Sequence, residues 1–286
     1  HHNMDMQKCQ ANFTFLLSAF GREKILWTDQ GRCGRVMVNI VEVIVDKGGD
    51  PMIKITTDST CDLPGELLER YGIRVIPLGI VKGEDLFRDG VDITTADIAA
   101  HVSAGGEITT TNAVNIIDYE EVFVEERKTH EALIHINIGM GFSSCYQNAC
   151  LAAEDIPEVY VVDSGNLSAG HGMLVLAAAE AAEAGKSAAE IVALLEDMRG
   201  KVEISFALDT LEYMKKGGRC SSVAALAGGM LKLQPKIVVA EGKMGVSKKY
   251  RGKMTRVLPE YVEDMKEELM NARTERVFIT HSGCEQ

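Results

Sequence analysis

Small hydroxyl and carboxylate residues gather where strands of this 286-residue sequence end and helices begin: Asp58-Ser59-Thr60, Ser143-Ser144 and Asp163-Ser164-Gly165. Such loops offer neutral O–H donors. The helices after them offer unpaired N–H groups and the positive end of a dipole, so together they suit an anion. Thr109-Thr110-Thr111-Asn112 adds a fourth polar segment, read as a loop ahead of a helix, and Gly139-Met140-Gly141 leaves room for a ligand against the backbone. Taken singly, each Ser, Thr or Asp is an ordinary helix N-cap. Their common placement argues for a site, because in a parallel sheet all such loops share the carboxyl edge.

Other chemistry is thinner. The sequence contains no Gly-x-Ser-x-Gly elbow, P-loop or His-Glu-x-x-His. Ser143 with His171 and an aspartate would make a serine-dependent acyl hydrolase or transferase at the same edge, although His135 and His171 each fit a structural role equally well. Arg219, in Lys215-Lys216-Gly217-Gly218-Arg219-Cys220, follows a helix end. It is either a solvated basic turn that complements the helix dipole or a contact for an anion or partner.

The elements that must position these residues are legible from periodicity. Ile53-Lys54-Ile55-Thr56-Thr57 alternates like a strand; Pro64 opens a helix that Gly72 closes. Arg74 to Leu78, Ala132 to Ile138 and Val159 to Val162 are further strands. Helices are expected at Thr94 to Ser103, capped by Thr94 or Thr95, and after Ser144, where Tyr146, Ala149, Cys150 and Ala153 share one face. The Met173 to Ala184 helix is apolar on most sides and so belongs in the interior. Ser187 and Glu190 form a capping box for the next. Strands alternating with helices imply an α/β domain with a parallel sheet over 52–200. From 201 to 286 the rhythm changes to α+β: a strand at Val202 to Leu208, a helix to Lys216, a hairpin around Glu241-Gly242, a helix from Pro259 to Asn271 and a strand from Arg276 to Thr280. This smaller second domain reads as incomplete at its C-terminus.

A net charge of −12 opposes a nucleic-acid backbone or an anionic membrane as the main partner. The seven cysteines form no Cys-x-x-Cys pair and no zinc spacing, so no metal is expected and reduced thiols in a cytoplasm fit best. No stretch approaches the roughly 20 apolar residues of a membrane span, and the first residues lack a secretory signal pattern. Residues 1–51 differ in character from the rest and are expected to be an extension outside the fold. Codons for Lys47-Gly48-Gly49 accommodate a bacterial ribosome-binding sequence, which makes Met52 the expected natural start.

From Met52 onward the chain resembles the DegV family of lipid-binding proteins. The matching segments are Thr57-Asp58-Ser59-Thr60, Val75-Ile76-Pro77-Leu78, Thr110-Thr111-Asn112-Ala113-Val114-Asn115 and Phe142-Ser143-Ser144-Cys145-Tyr146-Gln147-Asn148-Ala149. Val162-Asp163-Ser164, Ser168-x-Gly170-x-Gly172, Leu208 to Arg219 and Lys232-x-x-Pro235 follow in order. The resemblance implies a long-chain fatty acid held between an α/β and an α+β domain. Its carboxylate would be bound by Thr110, Thr111, Ser143 and Ser144, with Asp58, Ser59, Asp163 and Ser164 in supporting loops. It further implies that the protein is not a complete enzyme and needs no cofactor of its own. Instead it is the lipid-carrying subunit of a fatty-acid kinase, whose ATP-binding partner converts the carboxylate to an acyl phosphate for phospholipid synthesis. Arg219 would sit near the head group and assist the encounter with that partner. The chain departs from the family's Ser-Gly-Thr-Tyr at Ser143-Ser144-Cys145-Tyr146, putting a side chain where a glycine is usual. Relatives also continue past the last strand, as expected if this chain is a fragment.

Overall fold

The computed structural model describes residues 12–18, 25–29, 52–219, 233–271 and 276–282. Two strands, Asn12–Ser18 (β1) and Ile25–Asp29 (β2), come first. Ile53–Asp58 (β3) then runs through a 3-10 turn at Ser59–Cys61 into helix Gly65–Arg70 (α1), ended by Gly72 at a φ of 58° that favours glycine. Arg74–Ile76 (β4) lies parallel to β3. Gly79–Lys82 (β5) and Asp85–Arg88 (β6) form a hairpin, and after helix Thr95–Ser103 (α2) the strand Thr110–Asn112 (β7) pairs antiparallel with β5.

Helix Ile116–Glu126 (α3), strand Ala132–Asn137 (β8), helix Cys145–Ala153 (α4), strand Val159–Asp163 (β9), helix Ser168–Glu183 (α5) and helix Ala188–Arg199 (α6) complete the α/β part. Its parallel sheet has the order β4-β3-β8-β9. The central strand β8 is buried throughout, and successive residues face opposite layers. Ile134 and Ile136 pack with Met173 and Leu174 of α5, while Leu133 packs with Tyr119 and Phe123 of α3. His135 shares the α3 side, its ring centroid 5.0 Å from that of Tyr119.

The remaining strands are Glu203–Leu208 (β10), Leu233–Ala240 (β11), Lys243–Arg251 (β12) and Arg276–Ser282 (β13). Helix Glu212–Lys216 (α7) lies between β10 and β11, and Met254–Asn271 (α8) precedes β13. They form a six-stranded sheet ordered β12-β11-β10-β1-β13-β2, antiparallel except where β13 meets β2. Helix α5 shares one apolar core with both sheets, through Ile134 on one side and Ile204 and Phe278 on the other. This explains why it is apolar on most sides. Val257, Tyr261 and Met265 of α8 cover the far face.

Three expectations change. Residues 12–18 and 25–29 of the supposed extension stand inside the fold, because β1 fills the place between β10 and β13. Two strands would otherwise expose unpaired N–H and C=O groups there. The rest of 1–51 lies outside the described residues. Thr110 and Thr111 belong to a strand rather than a loop, since β5 supplies backbone partners through Val81 and Ile80. Finally, α8 begins at Met254, five residues before Pro259. Pro259 lies inside the helix, past the first turn, and gives up the backbone hydrogen bond that its position would otherwise make to the Thr255 carbonyl.

Candidate functional site

The carboxyl ends of β3, β8 and β9 meet at one edge of the parallel sheet, and buried acids tie their loops together. Asp58, fully buried, accepts hydrogen bonds from the Thr60 N–H at 3.1 Å, from the Thr60 hydroxyl, and from the Ile138 N–H at 2.8 Å. Asp163 likewise accepts from Met140 N–H at 2.9 Å and Gly165 N–H at 3.0 Å. The Ser59 hydroxyl donates to Asp89 at 2.7 Å and accepts from Leu78 N–H at 3.1 Å. Burial lifts the Asp89 carboxyl above the usual carboxylate range, and the Ser59 hydrogen bond opposes that rise. Ser164 closes its own turn onto Asn166, accepting from its N–H and donating to its carbonyl. These four sequence-selected residues therefore shape the edge through bonds within the protein.

Ser143 lies just ahead of α4 and is partly exposed. Its Oγ donates to Cys145 Sγ at 3.1 Å and accepts from Cys145 N–H at 3.3 Å. Ser144 is exposed at the N-cap position and makes no side-chain cap bond. Thr110 is half-buried and Thr111 exposed on β7. The chain leaving β7 comes back to α4: Asn148 Nδ2 donates to the Val114 carbonyl at 2.7 Å. Arg219 joins this group from the second sheet's side, its Nε donating to the Phe142 carbonyl at 3.2 Å, next to Ser143.

The serine-hydrolase arrangement is not assembled. His171 is fully buried, with Nε2 at 2.9 Å from both the Ile136 carbonyl and the Thr57 hydroxyl. Its Nδ1 is 3.3 Å from Thr60 Oγ1 and 3.8 Å from Asp58. Its hydroxyl neighbours are thus threonines, whereas the Ser143 hydroxyl is engaged with Cys145. Among the described residues no group of three or more His, Cys, Asp or Glu is placed to hold a metal ion, and no helix is long and apolar enough to cross a membrane.

His135 is fully buried, with Nδ1 at 2.8 Å from Thr56 Oγ1. Burial holds its imidazole down at about 3, Asp58 pulling it up and His171 pushing it further down. Its ordinary value is about 6.5, so between those limits the unfolded chain binds a proton that the folded chain refuses. Stability should therefore fall on acidification, by about 1.4 kcal/mol per pH unit well below the ordinary value. Denaturant unfolding between about pH 5 and 6.5, run side by side with the same series on His135→Gln, reads this effect above the range where ordinary carboxylates titrate. His135→Gln should lower stability at neutral pH yet flatten the slope; an unchanged slope would contradict the assignment.

A cleft of about 1010 Å³ opens at the start of β10 and the end of β11, where the edge loops of the parallel sheet meet them, at the upper end of the roughly 300–1,000 Å³ of small-molecule sites. Val202, Ile204, Val238, Val239 and Met265 give it apolar lining, Asp163, Arg199, Glu203, Glu241, Lys243 and Glu268 charged lining, and Met140 and Gly141 bring a sheet-edge loop to it. Neither Ser143 nor Thr110 lines the cleft itself. Gly141, two residues before Ser143, connects the two places.

The glycines at this seam accommodate protein backbone. A Cβ at Gly141 would run into the Gly242 carbonyl oxygen in the β11–β12 turn, and one at Gly139 would lie 2.9 Å from Gly165 C. Gly141→Ala should push the hairpin turn away from the sheet edge, destabilise the fold by about 1–3 kcal/mol and loosen the cleft. Thermal unfolding checks this, and a melting temperature equal to that of the unaltered chain would contradict it.

Sequence reasoning missed Cys145, Tyr119 and Asn137 behind Ser143. Cys145 was visible inside the Phe142-Ser143-Ser144-Cys145 segment, but Tyr119 carries no signal beyond its place on an amphipathic helix.

Residues 52–286 match the sequence model of the DegV family, described as uncharacterised proteins. The chain is 32% identical over 236 residues to a DegV domain-containing protein of Caldanaerobacter subterraneus, covering 82% of this chain and 84% of that one. Among solved structures it is similar to a fatty-acid-binding DegV family protein from Thermus thermophilus, with a TM-score of 0.70 and 33% identity, covering 75% of this chain and 77% of that one. It is also similar to DegV of Bacillus subtilis, a fatty acid binding protein, with a TM-score of 0.69 and 28% identity over 76% of this chain and 78% of the other.

Proposed function

The chain belongs to the DegV family, and from that premise we propose that it carries a long-chain fatty acid and presents the carboxylate to a separate ATP-dependent kinase for acyl-phosphate formation. The observation that carries this reading is a cleft of about 1010 Å³ with apolar lining from Val202, Ile204, Val238, Val239 and Met265, which reaches Gly141, two residues before Ser143. The tail lies in the cleft, and Ser143, Ser144, Thr110 and Thr111 receive the carboxylate. At about 0.8 kcal/mol per buried methylene, a tail of about 14 methylenes contributes roughly 11 kcal/mol before ordering and association are subtracted. The tail thus supplies the affinity. Neutral hydroxyls orient the head group and leave an oxygen free to attack a phosphoryl donor, which on this reading the partner brings.

Arg219 serves the encounter with that partner. Arg219→Ala should leave fatty-acid binding unchanged and slow acyl-phosphate formation by about tenfold or more, the loss of one charged contact. The test is a reconstituted assay with kinase, ATP and loaded carrier, set beside a binding titration. Acyl phosphate formed only when the loaded chain is present supports the reading. Acyl phosphate formed at the same rate without the chain contradicts it. Parallel loss of binding and turnover in Arg219→Ala would make Arg219 a structural residue, held by the Phe142 carbonyl.

A further inference from the structure

We infer that Cys145 positions the Ser143 hydroxyl for the ligand carboxylate, backed from the core by Tyr119 and Asn137; the inference rests on the carrier reading above. Cys145 is fully buried at the first position of α4. It fixes the Ser143 oxygen twice, through its N–H at 3.3 Å and through its sulphur, which receives the hydroxyl proton at 3.1 Å. Tyr119 and Val114 pack with Cys145 in one buried cluster. Asn137 Nδ2 donates to the Tyr119 oxygen at 3.0 Å. Burial raises both the Cys145 thiol and the Tyr119 phenol above their ordinary values, so both keep their protons.

This row makes little sense as core packing alone. Asn137 Oδ1 and His135 Nε2, two residues apart on the same side of β8, are buried without a hydrogen-bond partner. Apolar side chains would fill the space beneath α4 at lower free energy. What the polar row does is restrict the rotation of one partly exposed hydroxyl at a helix N-terminus. Sulphur is a weak acceptor, so an arriving carboxylate competes readily for the Ser143 O–H as its hydrogen-bond partner, while the Cys145 N–H keeps the oxygen in place. Preorganisation of this kind lowers the ordering that binding must otherwise impose.

The test uses the full chain, stripped of lipid and loaded with palmitate labelled with carbon-13 at the carboxyl. Two quantities are read: the pH midpoint of the bound carboxylate by NMR, and the release rate into neutral phosphatidylcholine vesicles. Cys145→Ala should raise the midpoint toward that of free palmitate and speed release by about fivefold, the loss of one hydrogen bond's orientation. Cys145→Ser, which keeps an acceptor there, should recover most of both. Tyr119→Phe should act in the same direction to a lesser degree, and it carries the test if Cys145→Ala does not fold. Wild-type midpoint and release in Cys145→Ala and Tyr119→Phe would overturn the inference alone, as would equal defects in Cys145→Ala and Cys145→Ser. If the unaltered chain takes up no palmitate, the carrier reading falls and this inference with it.

Discussion

Ser143→Ala is expected to weaken fatty-acid retention by about 10- to 100-fold while leaving the melting temperature nearly unchanged. A hydrogen bond to a charged group contributes about 1.5–3 kcal/mol, which sets the size of the effect. The fold should tolerate the change because Ser143 is partly exposed and its described bonds reach only Cys145. Release of bound lipid into vesicles, measured beside a thermal melt, checks both halves. Wild-type retention would remove Ser143 from the site. A large drop in melting temperature would reassign it to the folding of α4.

Asp58→Ala is expected to do the reverse, acting first on stability. One fully buried carboxylate holds the Thr60 N–H and hydroxyl on one loop and the Ile138 N–H on the next, with His171 Nδ1 3.8 Å away. Its loss strands buried donors on two loops at once. Removing one partner from such a network costs about 3–5 kcal/mol, which lowers the melting temperature of a chain this size by roughly 10 °C. Calorimetry reads this directly. A melt within two or three degrees of wild type, about 1 kcal/mol, would mean that water replaces the carboxylate easily and that Asp58 is not the hub of the edge.

The contrast between these variants shows how far the residues reveal their roles in advance. The sheet strands β3, β8 and β9 were legible because alternation and apolar runs end in small polar residues. The helix capped at Ser187 declared itself through Glu190 three positions on; the other, expected to be capped by Thr94 or Thr95, takes Thr94, and each forms a reciprocal capping box. The buried helix α5 followed from its lack of a polar face. The three-stranded sheet of β5, β6 and β7 did not show: its strands are three or four residues long, and β7 finds its partner some thirty residues upstream. The same distance effect hid the use of the edge acids. Asp58 and Ser143 look alike in sequence, as polar residues just ahead of a helical turn. Only the fold tells that one is spent on Ile138, eighty residues away, while the other remains partly exposed. The backing of Ser143 by Tyr119 and Asn137 depends on α3 packing against β8, which no local spacing encodes.

The account stands most directly on whether the chain holds a lipid. Protein purified from a bacterial host, weighed by native and then by denaturing mass spectrometry, should lose one long-chain fatty acid per chain on denaturation. A protein that stays empty, even after incubation with excess fatty acid, would contradict the carrier reading.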